Sequence, residues 1–236
     1  MKKTIAQYMT NYKSKTSIGS YFRQRRAGLI IQLIKECYEQ YGKVNIIDIG
    51  GRPSYWNIIP EEVLDGYEVK ITLVNNSDEL GQCTDRRFTS VVADGCKLDQ
   101  FSAGSFQMAH CNSVIEHIGD WTNVVAMCQE IQRLAPTYYV QTPNFWFPIE
   151  PHFMLPLFHW LPKPIRVKML NKWNLGHIGR EPDILKAVIA IEEIRLMDNT
   201  MFMALFDNAQ FKKERFLGLP KSLIAYQHHS QIKTDV

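Results

Sequence analysis

Several common signatures are missing from this chain. Its five cysteines, Cys37, Cys83, Cys96, Cys111 and Cys128, are odd in number and contain no CxxC pair. No secretory signal is read at the N-terminus, so the expectation is reduced thiols and a cytoplasmic setting. No apolar run is long enough to span a bilayer. No GK[ST] triplet occurs, which argues against a phosphate-binding loop of the P-loop type. Acidic residues are absent from 1–26, where Lys2, Lys3, Lys13, Lys15, Arg23, Arg25 and Arg26 stand. The simpler reading of that stretch is a solvated, partly frayed basic arm, and the sharper one is contact with a phosphorylated or acidic partner. The whole chain carries only +3, too little to argue for nucleic acid. No repeat and no low-complexity linker divides the 236 residues, so residues 1–236 are expected to form a single domain.

What is present is an ordinary globular composition, 45% hydrophobic and 22% charged, with one telling segment. In Val44 to Trp56, VNIIDIGGRPSYW, an apolar run ends at Asp48, one apolar residue follows, and the chain turns through Gly50 and Gly51. A buried parallel strand ends on a nucleotide-binding turn in this manner. Ile30, Leu33, Ile34, Cys37 and Tyr41 recur at helical spacing before it, and Gly42 stops them. Further strands are expected at 69–75, 88–93, 105–111 and 137–142, the last halted by Pro143, with a helix carrying Val124, Cys128, Ile131 and Leu134 on one face. A strand followed each time by a loop or helix predicts an α/β fold, doubly wound, with a mostly parallel sheet. Helices are expected near 183–191 and 199–206. Strands at 211–216 and 222–226 are joined too tightly to be parallel, so the C-terminal pair is antiparallel. Residues 143–182 are rich in proline and aromatics with little periodicity, and read as an insertion or lid that forms the substrate site. Within it, Phe153 to Leu161 is short and broken by Pro156. It reads as a pocket wall or lid before it reads as a membrane contact.

Ligands in open α/β sheets bind outside the C-terminal strand ends. Those ends gather Asp48 to Pro53, Asn75-Asn76, Asp94-Gly95, Asn112 to His117 and Thr142 to Asn144. An NAD fingerprint is not met. Counting from Gly50, the third and sixth positions are Arg52 and Tyr55, and Asn75 closes the second strand where an acid is wanted.

The segments VNIIDIGG, VVADGCKL, SFQMAHCNSVIEHIGDW, YVQTPN and ERFLGLPKSLIAY, in this order across about residues 20–226, resemble a class I S-adenosylmethionine-dependent methyltransferase of the small-molecule type. The resemblance implies a seven-stranded sheet whose last strand is antiparallel. It implies that Asp48, Gly50 and Gly51 lie against the methionine end of S-adenosylmethionine and that Asn75 stands where an acid grips the ribose. Asp94, with Gly95 beside it, would face the adenine amino group, and Asn112 and Ser113 would border the sulfonium side. Three positions depart from the family pattern: Arg52 replaces the third glycine, Asn75 the ribose acid, and Gln107 the acid at the start of the fourth strand. A metal-binding ExxEH occurs in a related subgroup. Here Ser113 takes the place of its first Glu before Glu116 and His117, so no metal is expected.

Each candidate also has a plainer reading. Gly50 and Gly51 can make an ordinary turn, Asp94 can cap a helix, and His117 can make a structural hydrogen bond. The other histidines have no spacing that suggests a shared metal. Methyl transfer is an in-line displacement in which positioning does most of the work. A base is needed only for a hydroxyl, a thiol, a protonated amine or an acidic carbon. His117 and His152 are the candidates, oriented by Glu116 or Glu150. The expected partner is a small-molecule or sugar-like methyl acceptor. The alternative is a non-catalytic module that binds S-adenosylmethionine or a nucleotide and acts through partners. Methylation of RNA rests only on the basic stretch, and nothing fixes the oligomeric state.

Overall fold

A computed structural model describes residues 18–77 and 83–228. Helix α1 (Ile18–Tyr41) leads into β1 (Val44–Ile49), followed by α2 (Glu61–Gly66), β2 (Val69–Asn75), β3 (Phe88–Val92) and β4 (Met108–Asn112). Then come α3 (Trp121–Leu134), β5 (Thr137–Pro143), α4 (Lys163–Lys172), α5 (Ile184–Glu192), α6 (Asn199–Met203), β6 (Gln210–Phe216) and β7 (Leu219–Gln227). The seven strands form one sheet in the order β3-β2-β1-β4-β5-β7-β6. All neighbours pair in parallel except β5 with β7 and β6 with β7, so β7 alone runs against the rest.

The local chemistry accounts for the element ends. Gly42 closes α1 at φ +68°, and its N–H bonds the Tyr38 carbonyl at 2.8 Å, a left-handed stop that glycine adopts without strain. Asp120, Asp183 and Asp198 cap α3, α5 and α6 through backbone N–H groups of the first turn, each cap stabilising by about 1 kcal/mol. Pro143 is the last residue of β5, where a missing N–H costs least. Pro220 stands inside β7 beside the irregularity at Glu214 and Arg215, the kind of position a strand leaves to proline.

Two hydrophobic layers cover the sheet. One face packs Ile30, Leu33, Ile34 and Cys37 of α1 onto Ile46, Ile71, Met108 and Tyr139. The other packs Val124, Met127, Cys128 and Ile131 of α3 onto Ile47, Ala109, Cys111 and Val140. A third cluster belongs to the segment after β5: Phe153, Phe158, Val167 and Leu170 pack with Ala187 and Ile191 of α5.

Three expectations change. The fourth strand begins at Met108 instead of 105, because Gln107 is held in the preceding loop by its own side chain. The segment 143–182 contains a helix, α4, whose pattern the prolines and aromatics hide, and its core continues into α5. Residues 1–17 of the basic stretch lie outside the described residues. The remainder is not a frayed arm: residues 18–26 are the first turns of α1, and Arg26 is buried against Glu214 of β6.

Candidate functional site

The strand-end turn after β1 is fixed from several sides. Asp48 is fully buried; one carboxylate oxygen accepts from Trp56 Nε1 at 2.8 Å and the other meets His110 Nδ1 at 2.7 Å. Gly50 sits at φ +72°, and its N–H bonds the Val74 carbonyl at 2.7 Å. A Cβ on Gly51 would lie 1.8 Å from Asp48 Oδ2, so any side chain there breaks the Asp48 contacts. Asn75 closes β2 and donates from Nδ2 to the Gly51 carbonyl at 3.1 Å.

Two of the three departures from the family pattern now have physical reasons. Arg52 has φ −134° and ψ 145°, extended backbone open to any residue, so no third glycine is needed. Asn75 uses a donor that an ionised carboxylate lacks, while keeping an acceptor oxygen. The third, Gln107, is structural: its Oε1 accepts from the Asn45 N–H at 2.9 Å at the opposite end of the sheet.

A cavity of about 320 Å³ opens above the ends of β1, β2 and β3. Gly50, Asn75, Asp94, Gly95, Val114 and His117 are among its walls. This volume is at the lower end of the range of small-ligand sites, roughly 300–1,000 Å³. Asp94 is held by its own turn, accepting from the Cys96 N–H at 2.9 Å. Gly95 is required by packing, since a Cβ would meet Met127 Cε at 2.6 Å and Ile49 Cγ2 at 2.7 Å. A second hollow, of about 410 Å³, lies at the other end of the sheet, between Tyr41, Gln107, Arg133 and Pro136, away from the strand-end residues.

The remaining sequence candidates divide. Asp48 and Gly51 stand behind the turn and shape it. Asn112 and Ser113 lie beside it at the end of β4. Asn112 Oδ1 accepts from Arg26 Nη1 at 3.1 Å and is 3.4 Å from the Tyr55 hydroxyl. Ser113 has φ +56° and donates from Oγ to Gln141 at 2.9 Å. Sequence reasoning missed the scaffold around them. Asp48, His110 and Tyr139 are register partners across three adjacent strands, with the His110 and Tyr139 rings stacked at 5.4 Å and 8°. Arg26 makes a two-pronged pair with Glu214 at 2.7 and 2.6 Å. Burial opposes the Arg26 charge, and the Glu214 carboxylate outweighs it. A sequence separation of 188 leaves no local signal.

His117 and His152, read separately from the sequence, meet in space. Their rings pack edge to face with centroids 4.6 Å apart. His117 walls the cavity while remaining exposed to solvent. Burial, and then the field of His152, hold it below the ordinary histidine range. His152 Nδ1 is bonded to Glu150 Oε1, and Glu150 Oε2 also accepts the N–H groups of His152 and Phe153 at 2.9 and 2.8 Å. Burial alone would raise Glu150 and lower His152, but their contact reverses both, leaving the carboxyl below and the imidazole above its usual value. Glu116 is fully buried nearby. Thr142 Oγ1 donates to its Oε2 at 3.0 Å, while Oε1 has no hydrogen-bond partner among the described residues. Burial pushes this carboxyl up to about 7. Among the described residues, no three His, Cys, Asp or Glu side chains converge to hold a metal ion.

Comparison with known proteins bears on the fold. No family model matches the chain. Two uncharacterized proteins, from two strains of Mycobacterium tuberculosis, are each 36% identical over 87 residues, which is 36% of this chain. The match spans only 29% of the length of those curated relatives. Among solved structures, the N-terminal domain of EvdMO1 in the presence of SAH and D-fucose aligns with a TM-score of 0.52 at 13% identity, covering 87% of this chain and 82% of that one. A SAM-dependent methyltransferase from Archaeoglobus fulgidus aligns with a TM-score of 0.50 at 11% identity, covering 88% and 94%. The fold is the class I methyltransferase fold. The single reversed strand β7, set between β5 and β6, is its distinguishing feature here. Among the described residues no helix is long and apolar enough to cross a membrane.

Proposed function

We propose that this protein transfers a methyl group from S-adenosylmethionine to a small-molecule acceptor whose reacting atom must lose a proton, such as a hydroxyl. One observation carries the reading: the strand-end cavity is walled by His117, and against His117 packs His152 with the buried Glu150 behind it. This arrangement favours catalysis over a non-catalytic binding module.

Gly50, Asn75, Asp94 and Gly95 would hold the cofactor. Gly50 leaves its backbone open to close approach, Asn75 retains a carbonyl oxygen for a ribose hydroxyl, and Asp94 can accept from an amino group. Asp48 and Gly51 act through the turn they fix, and Asn112 and Ser113 border the reacting side. The cofactor, when bound, supplies a methyl group already activated by its sulfonium. The chain's own part is positioning and proton removal. Glu150 engages Nδ1 of His152, leaving Nε2 to take the proton of the acceptor. The ionised Glu150 then balances the imidazolium. His117 is held neutral and orients the ring of His152 without competing for the proton. The segment 143–182 would supply the acceptor's contacts, since His152 and Glu150 lie within it.

Calorimetry with S-adenosylmethionine and its demethylated product tests the first step. No binding at millimolar ligand would sink the proposal, and binding without transfer across a broad metabolite panel would favour the module. His152→Ala that kept full turnover would remove the base assignment.

A further inference from the structure

The segment after β5 exposes apolar and basic side chains that its own core leaves outside. Trp146 is 60% exposed and packs its ring 6.1 Å from that of Trp160, whose Nε1 is held by the Phe145 carbonyl at 2.9 Å. Leu157, 47% exposed, takes φ +60°, a costly conformation for a leucine, and its carbonyl accepts the Trp160 N–H at 3.1 Å. Helix α4 begins three residues after Trp160. Val167 and Leu170 bury one side of it in the third core, which fixes its rotation. Ile165, Lys168 and Lys172 then recur on the exposed side at helical spacing, and Trp173, 56% exposed, follows. The helix KPIRVKMLNK carries Lys163, Arg166, Lys168 and Lys172 and no acid; Lys163 is paired with Glu192 of α5, so Lys168 and Lys172 supply its outward positive charge.

Exposed tryptophans beside aliphatic and lysine side chains are the composition of an element that lies in a membrane interface. There indole rings sit at headgroup level and basic residues meet anionic lipid. We propose that this face, from Trp146 to Trp173, docks on an anionic lipid surface. The charge decides the occupant. A second copy of the same face would set one acid-free basic helix against another. A nucleic acid would answer the lysines and stack on the tryptophans but leave Leu157 and Ile165 without a role.

The full chain is mixed with vesicles of phosphatidylcholine alone or with phosphatidylserine added, and sedimented. The expected result is co-sedimentation only with phosphatidylserine, weakened by salt, with a blue shift of tryptophan emission and quenching by brominated lipid. Lys168→Gln with Lys172→Gln should lower the partition coefficient roughly twenty-five-fold, at about fivefold per lysine. Trp146→Ser with Trp160→Ser should remove most of the lipid quenching. The wild-type comparison between the two vesicle types decides the matter even if a variant fails to fold. Equal sedimentation with both vesicle types would overturn the proposal. So would vesicle-free dimers that shield the tryptophans from a soluble quencher, or binding to single-stranded RNA that the lysine substitutions abolish while vesicle binding persists.

Discussion

Replacing Glu116 with glutamine should stabilise the protein, and only where the pH is high enough to ionise the carboxyl. Glu116 has no exposed surface, keeps one hydrogen bond from Thr142, and has an Oε1 without a partner among the described residues. Burial moves its pKa from 4.5 to about 7. Below pH 4.5 the carboxyl is protonated in folded and unfolded chains alike and costs nothing extra. Between 4.5 and about 7 the unfolded chain releases its proton while the folded one keeps it, so stability falls as the pH rises. Above about 7 the full penalty applies, about 3 kcal/mol at 1.4 kcal/mol per tenfold. Glutamine keeps the oxygen that Thr142 needs and carries no charge. The expected gain is therefore near zero in acid and about 3 kcal/mol in mild alkali, or roughly 6–12 °C in Tm for a domain of this size. Thermal unfolding of both proteins on either side of that window measures it. A gain of the same size at both pH extremes, or a loss in alkali, would refute the reasoning. A buried acid that costs stability is a common feature of functional sites. The same variant should therefore be assayed for methyl transfer.

Four other perturbations follow from the surroundings of named residues. Glu214→Gln leaves the Arg26 guanidinium buried without its counter-charge and should cost roughly 3–5 kcal/mol in urea unfolding, whereas Arg26→Met with Glu214→Leu should recover most of that loss. Gly51→Ala forces a Cβ to within 1.8 Å of Asp48 Oδ2 and should destabilise by roughly 1–3 kcal/mol and abolish cofactor binding by calorimetry. Gly28→Ala, in α1 with nothing within 4 Å, should be neutral or stabilising. In the pH–rate profile, the rising limb should lie above the ordinary histidine value of 6.5, because Glu150 raises His152. Glu150→Gln should move that limb down, and an unmoved limb would detach His152 from catalysis. The raised imidazole also stabilises the fold, fully below pH 6.5 and decreasingly as the pH climbs through its folded value.

Periodicity made most of the sheet legible. Buried β1 is a nearly continuous apolar run and β2 alternates, with Lys70 exposed between Val69 and Ile71; both, with β5, were readable to within a residue because turn residues bound them. Helix α4 was not legible. Its buried side is only Val167 and Leu170, and its exposed side mixes Ile165 with lysines, so no clean stripe remains in the sequence. The candidate histidines were readable as strand-end residues, but their meeting was not, since 35 positions separate His117 from His152 and only the return of the segment after β5 brings the rings together. The pair of Arg26 and Glu214 was invisible for the same reason, so residues 18–26 of the basic stretch read as an arm although they begin α1.

The glycine motif bears on how such departures should be weighed. Counting glycines treats each as equally necessary, but the backbone distinguishes them. Gly50 is needed for its positive φ, Gly51 because Asp48 occupies the space a side chain would fill, and the third position not at all, because Arg52 is extended. Asn75 reads the same way. Its Nδ2 ties the turn to β2 at the Gly51 carbonyl, a bond an aspartate could not make, so the loss of the acid is coupled to a gain in how firmly the turn is held. The two substitutions that weaken the sequence match are thus compatible with an intact site. The turn after Val44 to Ile49 is ordered by contacts with Asp48, Trp56, Val74 and Asn75 of the chain itself. A turn fixed by the chain's own contacts would spend little binding energy on ordering itself, which suits the cofactor role proposed above.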